Sequence, residues 1–172
     1  IHETGHGLGL PDFYDYDPNV GPKGGAGRLD QMDGNWGDHN AFSKYVLDWM
    51  TPQILNQDQS DVTLRPLSEH PDALIVMPNI ESDSMWDEFF VAQYRNQSAN
   101  DAEYPNTGLI VHHVDARLTD NGQQTRYDNS YTDYKFLRLV QADGLEQIER
   151  LGASADAGDY FNAPQSFGFD TE

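Results

Sequence analysis

The first twelve residues constrain this chain more than any other stretch. His2 and His6 stand four residues apart, so on a helix both imidazoles lie on one face, where they can hold a single metal ion. Glu3 lies beside them, which completes an HExxH motif. In this motif two histidines bind zinc and the glutamate assists attack of a zinc-bound water on a peptide carbonyl. The sequence therefore predicts a zinc site at the start of the chain.

The residues after His6 predict that this helix is short. Gly9 accepts backbone angles that residues with a Cβ resist, and Pro11 prevents the helix from continuing. A chain that leaves the helix sharply can turn back towards the histidines. Asp12 is therefore a candidate for the third zinc ligand.

Charge excludes one class of partner. The 172 residues contain 29 acidic and 10 basic side chains, for a formal net charge of −19. A nucleic-acid partner is disfavoured, because phosphate binding needs a basic surface. The chain has no cysteine, which excludes disulfides and thiolate metal sites, and no apolar run is long enough to predict a membrane span.

The acidic residues that crowd into loops are candidate calcium ligands. Asp15 and Asp17 begin a segment that looks like an EF-hand loop, but Val20 stands where that loop needs glycine and Ala26 where it needs a bidentate glutamate. An EF-hand is therefore excluded, and another calcium geometry is left open. A merely solvated acidic surface is the alternative for each candidate. The full set of calcium candidates is Asp15, Asp17, Asp115, Asp143, Asp156 and Asp159.

Residues 40–50 predict an amphipathic helix that packs against the zinc-site helix. Asp38 or Asn40 can cap it and Pro52 closes it. The apolar residues recur at the spacing of one helical face. These are Phe42, Tyr45, Val46, Trp49 and Met50.

Beyond Pro52 the hydrophobic pattern changes to that of β-strands. Five short runs predict an antiparallel sheet or sandwich, at residues 61–67, 72–78, 88–95, 107–115 and 136–143. In the third run apolar side chains fall on both faces, so both faces should be covered. His112 and His113 must point to opposite faces of their strand, and we expect the inward one to be hydrogen-bonded. The predicted fold class is α+β.

Three segments carry a family resemblance. HETGHGLGLPDFYD, MDGNWG and FSKYVLDWMTP together resemble the M6 (immune inhibitor A-like) zinc metallopeptidases, and FFVAQYRN and GLIVHHVD look like the strands that follow their catalytic core. The resemblance implies that His2, His6 and Asp12 bind zinc and that Glu3 is the catalytic base. It also implies that Met32 forms the apolar floor of a Met-turn. The implied organisation is the lower part of a metzincin-like domain at residues 1–52, followed by a β region at 53–172, in a secreted bacterial enzyme.

Two features depart from a complete peptidase. Some related enzymes stabilise the oxyanion with a tyrosine two residues after the Met-turn methionine, where this chain has Gly34, so Tyr14, Tyr16 and His39 are left as candidates. In addition, Ile1 precedes the first zinc ligand by one residue, which leaves no room for an N-cap. We expect the chain to be a piece of a longer protein whose missing N-terminal part completes the substrate cleft, and to have little peptidase activity alone.

The sequence thus predicts a zinc-dependent endopeptidase acting on protein or peptide substrates, with Zn²⁺ as cofactor and Ca²⁺ as a further candidate. A second hypothesis is a calcium-stabilised β module that binds protein or glycan, with a vestigial metal site. A third is a zinc hydrolase of other substrates, which the motif alone permits. The metal content would discriminate between the first two, because only the peptidase needs stoichiometric zinc at His2 and His6.

Overall fold

The computed structural model describes residues 1–55, 61–77 and 84–162. Within these ranges the chain is an α+β protein with short helices and one five-stranded sheet. The helices are α1 (His2–Gly7), α2 (Gln31–Gly34), α3 (Ala41–Val46) and α4 (Gln147–Leu151). The strands are β1 (Gln53–Leu55), β2 (Leu74–Val76), β3 (Glu88–Arg95), β4 (Gly108–Asp115) and β5 (Leu137–Val140). Two short 3₁₀ turns lie at Ala99–Asp101 and Ala157–Asp159.

The sheet is organised around the β3–β4 pair. The strand order is β1-β2-β3-β4-β5, so each strand pairs with its neighbours in the chain. Strands β3 and β4 pair antiparallel over their whole length, from Glu88 opposite Asp115 to Arg95 opposite Gly108. Strands β2 and β5 flank them, also antiparallel.

The prediction of a purely antiparallel sheet is wrong at one edge. The run at residues 61–67 makes only an isolated bridge, between Pro66 and Tyr94. Its place in the five-stranded sheet is taken by β1, which pairs parallel with β2. Pro66 has no N–H to donate to a ladder, which disfavours a strand there. The β1 segment has only three residues, too few to show the alternation of apolar and polar side chains that predicts a strand. The other four predicted strands are confirmed, although the predicted C-terminal limit of the second, residue 78, lies outside the described residues.

Both faces of β3 are buried, as its sequence predicts. On one face Phe89 and Val91 pack into a core that also contains Phe13, Met32 and Phe42. On the other face Phe90 and Ala92 pack with a second cluster. Because the first core takes residues from both sides of position 52, the N-terminal segment and the sheet share one hydrophobic interior.

The predicted helix at 40–50 is shorter than its apolar pattern. Helix α3 begins after Asn40, whose side chain accepts a hydrogen bond from the Ser43 N–H, and Asp48 in the left-handed region follows its end. Phe42 lies against Phe89 of β3. Trp49 was predicted in the core, but it is 53 % exposed, because the helix has ended before it reaches that position.

The two adjacent histidines of β4 do lie in different environments. His112 is completely buried and His113 is half-buried. The expected hydrogen bond is wrong for the inward one, since neither ring nitrogen of His112 has a partner. Burial lowers the pKa of His112 to about 3, so the ring is neutral. Nε2 of His113 lies 3.1 Å from a carboxylate oxygen of Glu88, within hydrogen-bond distance.

No helix in the part of the chain that the structure describes has the length and apolar character needed to cross a bilayer.

Candidate metal centre

Helix α1 and the turn after it bring three ligand side chains together. Gly9 has φ +97°, in the region that favours glycine, and the Leu10 N–H returns to the Gly5 carbonyl, so the chain reverses directly behind the helix. Leu10 is buried and anchors that reversal. Asp12 then lies against the histidine face of α1, as the sequence predicts.

The ligand atoms of this group converge on one point. The Oδ1 atom of Asp12 lies 3.1 Å from Nε2 of His2 and 3.3 Å from Nε2 of His6, and the two Nε2 atoms are 3.2 Å apart. Among the described residues, this is the group of three histidine or carboxylate side chains with the spacing of a metal site. The side chains of His2 and Asp12 are mostly buried, while that of His6 is 34 % exposed.

Backbone carbonyls orient both imidazoles. Nδ1 of His2 lies 2.9 Å from the Gln31 carbonyl oxygen, and Nδ1 of His6 lies 2.9 Å from that of Leu10. A carbonyl oxygen only accepts, so each Nδ1 carries a proton and each ring points its Nε2 at Asp12. Such outer hydrogen bonds are the usual way in which metal-ligating histidines are oriented.

The three converging atoms can share one cation. The Oδ1 atom of Asp12 is buried and has no hydrogen-bond donor. Burying a carboxylate oxygen without a partner is costly. Two imidazole nitrogens and one carboxylate oxygen are also a ligand set that suits zinc. The residues therefore fit a divalent cation at this position.

A pair of tyrosines occupies the other side of Asp12. The Tyr16 hydroxyl donates to Oδ2 of Asp12 at 2.8 Å, and the hydroxyls of Tyr14 and Tyr16 lie 2.5 Å apart. The Tyr14 ring also stacks on His2, with centroids 6.3 Å apart. The sequence made both tyrosines candidates for stabilising the oxyanion, but it did not predict their contact with Asp12.

Met32 lies directly beneath α1. It is completely buried, and a Cβ added to Gly5 would overlap its sulfur. Helix α2, which carries Met32, is capped by Asp30, whose buried carboxylate accepts from the Met32 and Asn40 N–H groups. Burial raises the pKa of Asp30 to about 7. Sequence reasoning missed this residue, although an aspartate before a short helix is a capping signal.

The sheet supplies the side chains that hold the next loop. Arg95 of β3 is completely buried, pairs with Asp101 at 2.7 Å and donates to the His39 carbonyl at 3.0 Å. Gln93 accepts from the first N–H of α3, at Ala41. Burial lowers the pKa of His39, whose ring lies on the inner side of α1 near Gly5. This position makes His39 a poor candidate for a donor to a substrate on the exposed side.

A loop after β4 anchors the segment that carries the tyrosines. The amide of Asn129 donates to the carbonyls of Phe13 and Leu137, both at 2.7 Å, and accepts from the Leu137 N–H at 2.9 Å. The neighbouring Ser130 hydroxyl accepts from the Tyr16 N–H at 3.0 Å. No sequence pattern identified Asn129 or Ser130, because they lie more than a hundred residues from the segment they bind.

Glu3, the predicted catalytic base, is exposed on α1 next to His2. Its place beside His2 follows from the motif itself.

The six calcium candidates do not gather into one site. Asp15 and Asp17 accept local backbone N–H groups, and Asp115 forms an ion pair with Arg117. Asp156 and Asp159 form a capping box around the second 3₁₀ turn. Asp143 accepts from the Leu145 N–H. Each side chain has a structural role, and calcium at these residues stays a prediction.

The cavity near His2, His6 and Asp12 is of modest size. It has a volume of about 430 Å³, begins at Tyr14 and is lined by charged residues that include Asp15, Arg28 and Asp33. Burial raises the pKa of Asp33 to about 6. A larger cavity of about 670 Å³ lies elsewhere, beside His113. Cavity size therefore does not identify the group of His2, His6 and Asp12. The convergence of their side-chain atoms does.

Comparisons with known proteins leave the family open. No family model, curated protein or solved structure matches this chain.

Proposed function

We propose that this chain is the zinc-binding part of a peptidase, with His2, His6 and Asp12 as ligands and Glu3 as catalytic base. One observation carries the proposal. Two imidazole Nε2 atoms and a buried carboxylate oxygen without a hydrogen-bond partner lie within 3.3 Å of one another. That arrangement suits a bound cation, and it stands on an HExxH helix.

Zinc at this position would supply a Lewis acid that acidifies a coordinated water and polarises a substrate carbonyl. The protein's own contribution is then the handling of protons. Glu3 is exposed beside the ligands, so it can accept a proton from the attacking water and deliver it to the leaving amine. The buried histidine and aspartate side chains hold the geometry, while the exposed edge of His6 leaves the centre open to substrate.

The proposed substrate class is a peptide or protein, which rests on the resemblance to M6 peptidases and on the HExxH motif. The same resemblance proposes a secreted bacterial enzyme with a metzincin-like lower subdomain. Met32 under Gly5 supports that part of the proposal, because a buried methionine beneath the zinc helix is what a Met-turn provides.

Metal titration is the first test. The 172-residue chain should bind one zinc, and His2→Ala or His6→Ala should abolish that binding. Calorimetry with Zn²⁺ and Ca²⁺ in parallel discriminates between the hypotheses. Binding of calcium alone, with no zinc at the histidines, would overturn the peptidase proposal in favour of the β module.

Hydrolysis is the second test, measured in the natural polypeptide that contains these residues. Glu3→Gln should keep zinc at full stoichiometry and lower casein cleavage by at least about a hundredfold, because general-base catalysis contributes that much. Glu103→Gln is a matched control at another exposed glutamate and should cleave normally. Equal cleavage by the Glu3 variant and the natural protein would refute the assignment of the base.

A further inference from the structure

The tyrosine pair beside Asp12 gives the two oxygens of its carboxylate different surroundings. Oδ1 faces the two histidines and has no hydrogen-bond donor, whereas Oδ2 accepts from the Tyr16 hydroxyl at 2.8 Å. One oxygen is therefore directed to the metal position and the other is already occupied.

The direction of the hydrogen bonds follows from the chemistry of the groups. An ionised carboxylate only accepts, so the Tyr16 proton goes to Asp12. Tyr16 then has no proton left for Tyr14, and the 2.5 Å contact between the hydroxyls must be donated by Tyr14. The result is a chain in which Tyr14 donates to Tyr16 and Tyr16 donates to Asp12. Each bond in such a chain polarises the next.

The backbone of this segment is fixed before any metal binds. Ser130 accepts from the Tyr16 N–H at 3.0 Å and donates to the Tyr14 carbonyl at 3.3 Å, and Asn129 holds the Phe13 carbonyl. Tyr16 itself is 55 % exposed, so packing does not determine where its ring lies. Its hydroxyl position depends on Asp12 and Tyr14.

We propose that Tyr16 is a positioning residue that restricts Asp12 to a single ligand oxygen. With Oδ2 held by the phenol, Asp12 ligates through Oδ1 alone, and the fourth position beside His2 and His6 stays open for the reaction. Without the phenol, Oδ2 would be free to bind the metal as a further ligand atom beside that fourth position. This inference rests on the proposed metal site, and it adds a role that neither the motif nor its spacing assigns.

The test uses Tyr16→Phe in the full 172-residue chain, with Zn²⁺ for affinity and Co²⁺ as a spectroscopic probe of coordination number. We expect zinc affinity to fall about tenfold, since removal of an outer hydrogen bond typically weakens metal binding by that factor or more. The visible Co²⁺ band should lose intensity, because cobalt absorbs less strongly when a fifth ligand atom joins a tetrahedral site.

Two further tyrosine variants serve as controls. Tyr14→Phe removes a hydroxyl that touches Tyr16 but not Asp12, so the Co²⁺ spectrum should keep its shape and affinity should change less than about threefold. Tyr131→Phe, at a ring that is 64 % exposed, should change neither measurement. Circular dichroism of the metal-free variants checks that each is folded, which the exposure of Tyr16 leads us to expect.

The outcomes separate the two proposals. If the unaltered chain binds neither metal through His2 and His6, the proposed function fails. If it binds both, but Tyr16→Phe has the same zinc affinity and the same Co²⁺ spectrum, the zinc site stands and the role of Tyr16 is refuted. A loss of affinity with an altered spectrum in Tyr16→Phe alone supports the positioning role.

Discussion

The segment around the metal ligands and the β-sheet are built in different ways. In the sheet, β3 and β4 pair over eight residues each and bury apolar side chains on both faces, so pairing and burial reinforce each other. Residues 1–52 contain only helices of four to six residues. Isolated helices of that length are not stable in water.

The N-terminal segment is therefore held by side chains that reach its backbone. Asp30 and Asn40 cap its helices from within, while Arg95, Gln93 and Asn129 reach it from the sheet region. The ligand geometry thus depends on buried polar groups of the sheet region.

Replacing Arg95 should have the largest effect on stability. Arg95→Met leaves Asp101 charged, buried and unpaired, and releases the His39 carbonyl. Breaking a buried pair in this way costs about 3–5 kcal/mol, measurable by urea unfolding. Arg65→Met, at the exposed pair with Asp72, is the control and should have a far smaller effect. Equal losses in the two variants would show that the buried pair does not support the N-terminal segment.

Replacing Asn129 should destabilise the fold and loosen the ligand segment together. Asn129→Ala removes three buried hydrogen bonds to Phe13 and Leu137 and leaves their backbone groups unsatisfied, at a cost of about 2–3 kcal/mol. Amide hydrogen exchange should rise in residues 12–17 as well as at β5. Faster exchange at β5 alone would mean that the two regions are not coupled through this side chain.

Adding one methyl group beneath the ligand helix should be costly. Gly5→Ala drives a Cβ into the Met32 sulfur, and overpacking of this kind costs about 1–3 kcal/mol. The same change in a Met32→Ala background should cost less, because the space is then vacant. A double-mutant cycle by thermal unfolding measures the coupling. Additive losses would show that Met32 does not support α1.

Acid should lower the free energy of unfolding through His112, which lies in the sheet. Its pKa is about 3 in the folded chain and about 6.5 when unfolded, so the unfolded state binds the extra proton between these values. The stability that His112 contributes is complete above pH 6.5 and is lost as pH falls towards 3, with a slope of up to about 1.4 kcal/mol per pH unit.

The measurement for His112 is the urea midpoint between pH 4 and 7. His112→Leu should flatten the pH dependence by that slope. Retention of the full slope in the Leu variant would assign the acid sensitivity to other groups.

Local patterns predicted the local features well. The α+β class, strands β2 to β5 and the Asn40 cap are confirmed, because each depends on residues close in sequence. The motif also brought the right three side chains together, since a four-residue spacing and a glycine turn fix their geometry. The predicted strand at 61–67 and the burial of Trp49 are wrong. Pro66 disfavours a strand at 61–67, and helix α3 ends before it reaches Trp49.

The sequence by itself determined that His2, His6 and Asp12 converge, and it determined the alternation that makes β3 and β4 the centre of the sheet. Only the tertiary structure decided which distant side chains hold that site. The Asp30 cap under Asn40, the Arg95–Asp101 pair behind His39 and the Asn129 contact with Phe13 join residues whose proximity no local period encodes. The physical reason is that a buried polar group needs a partner in space, and the folded chain supplies it wherever the core brings one near.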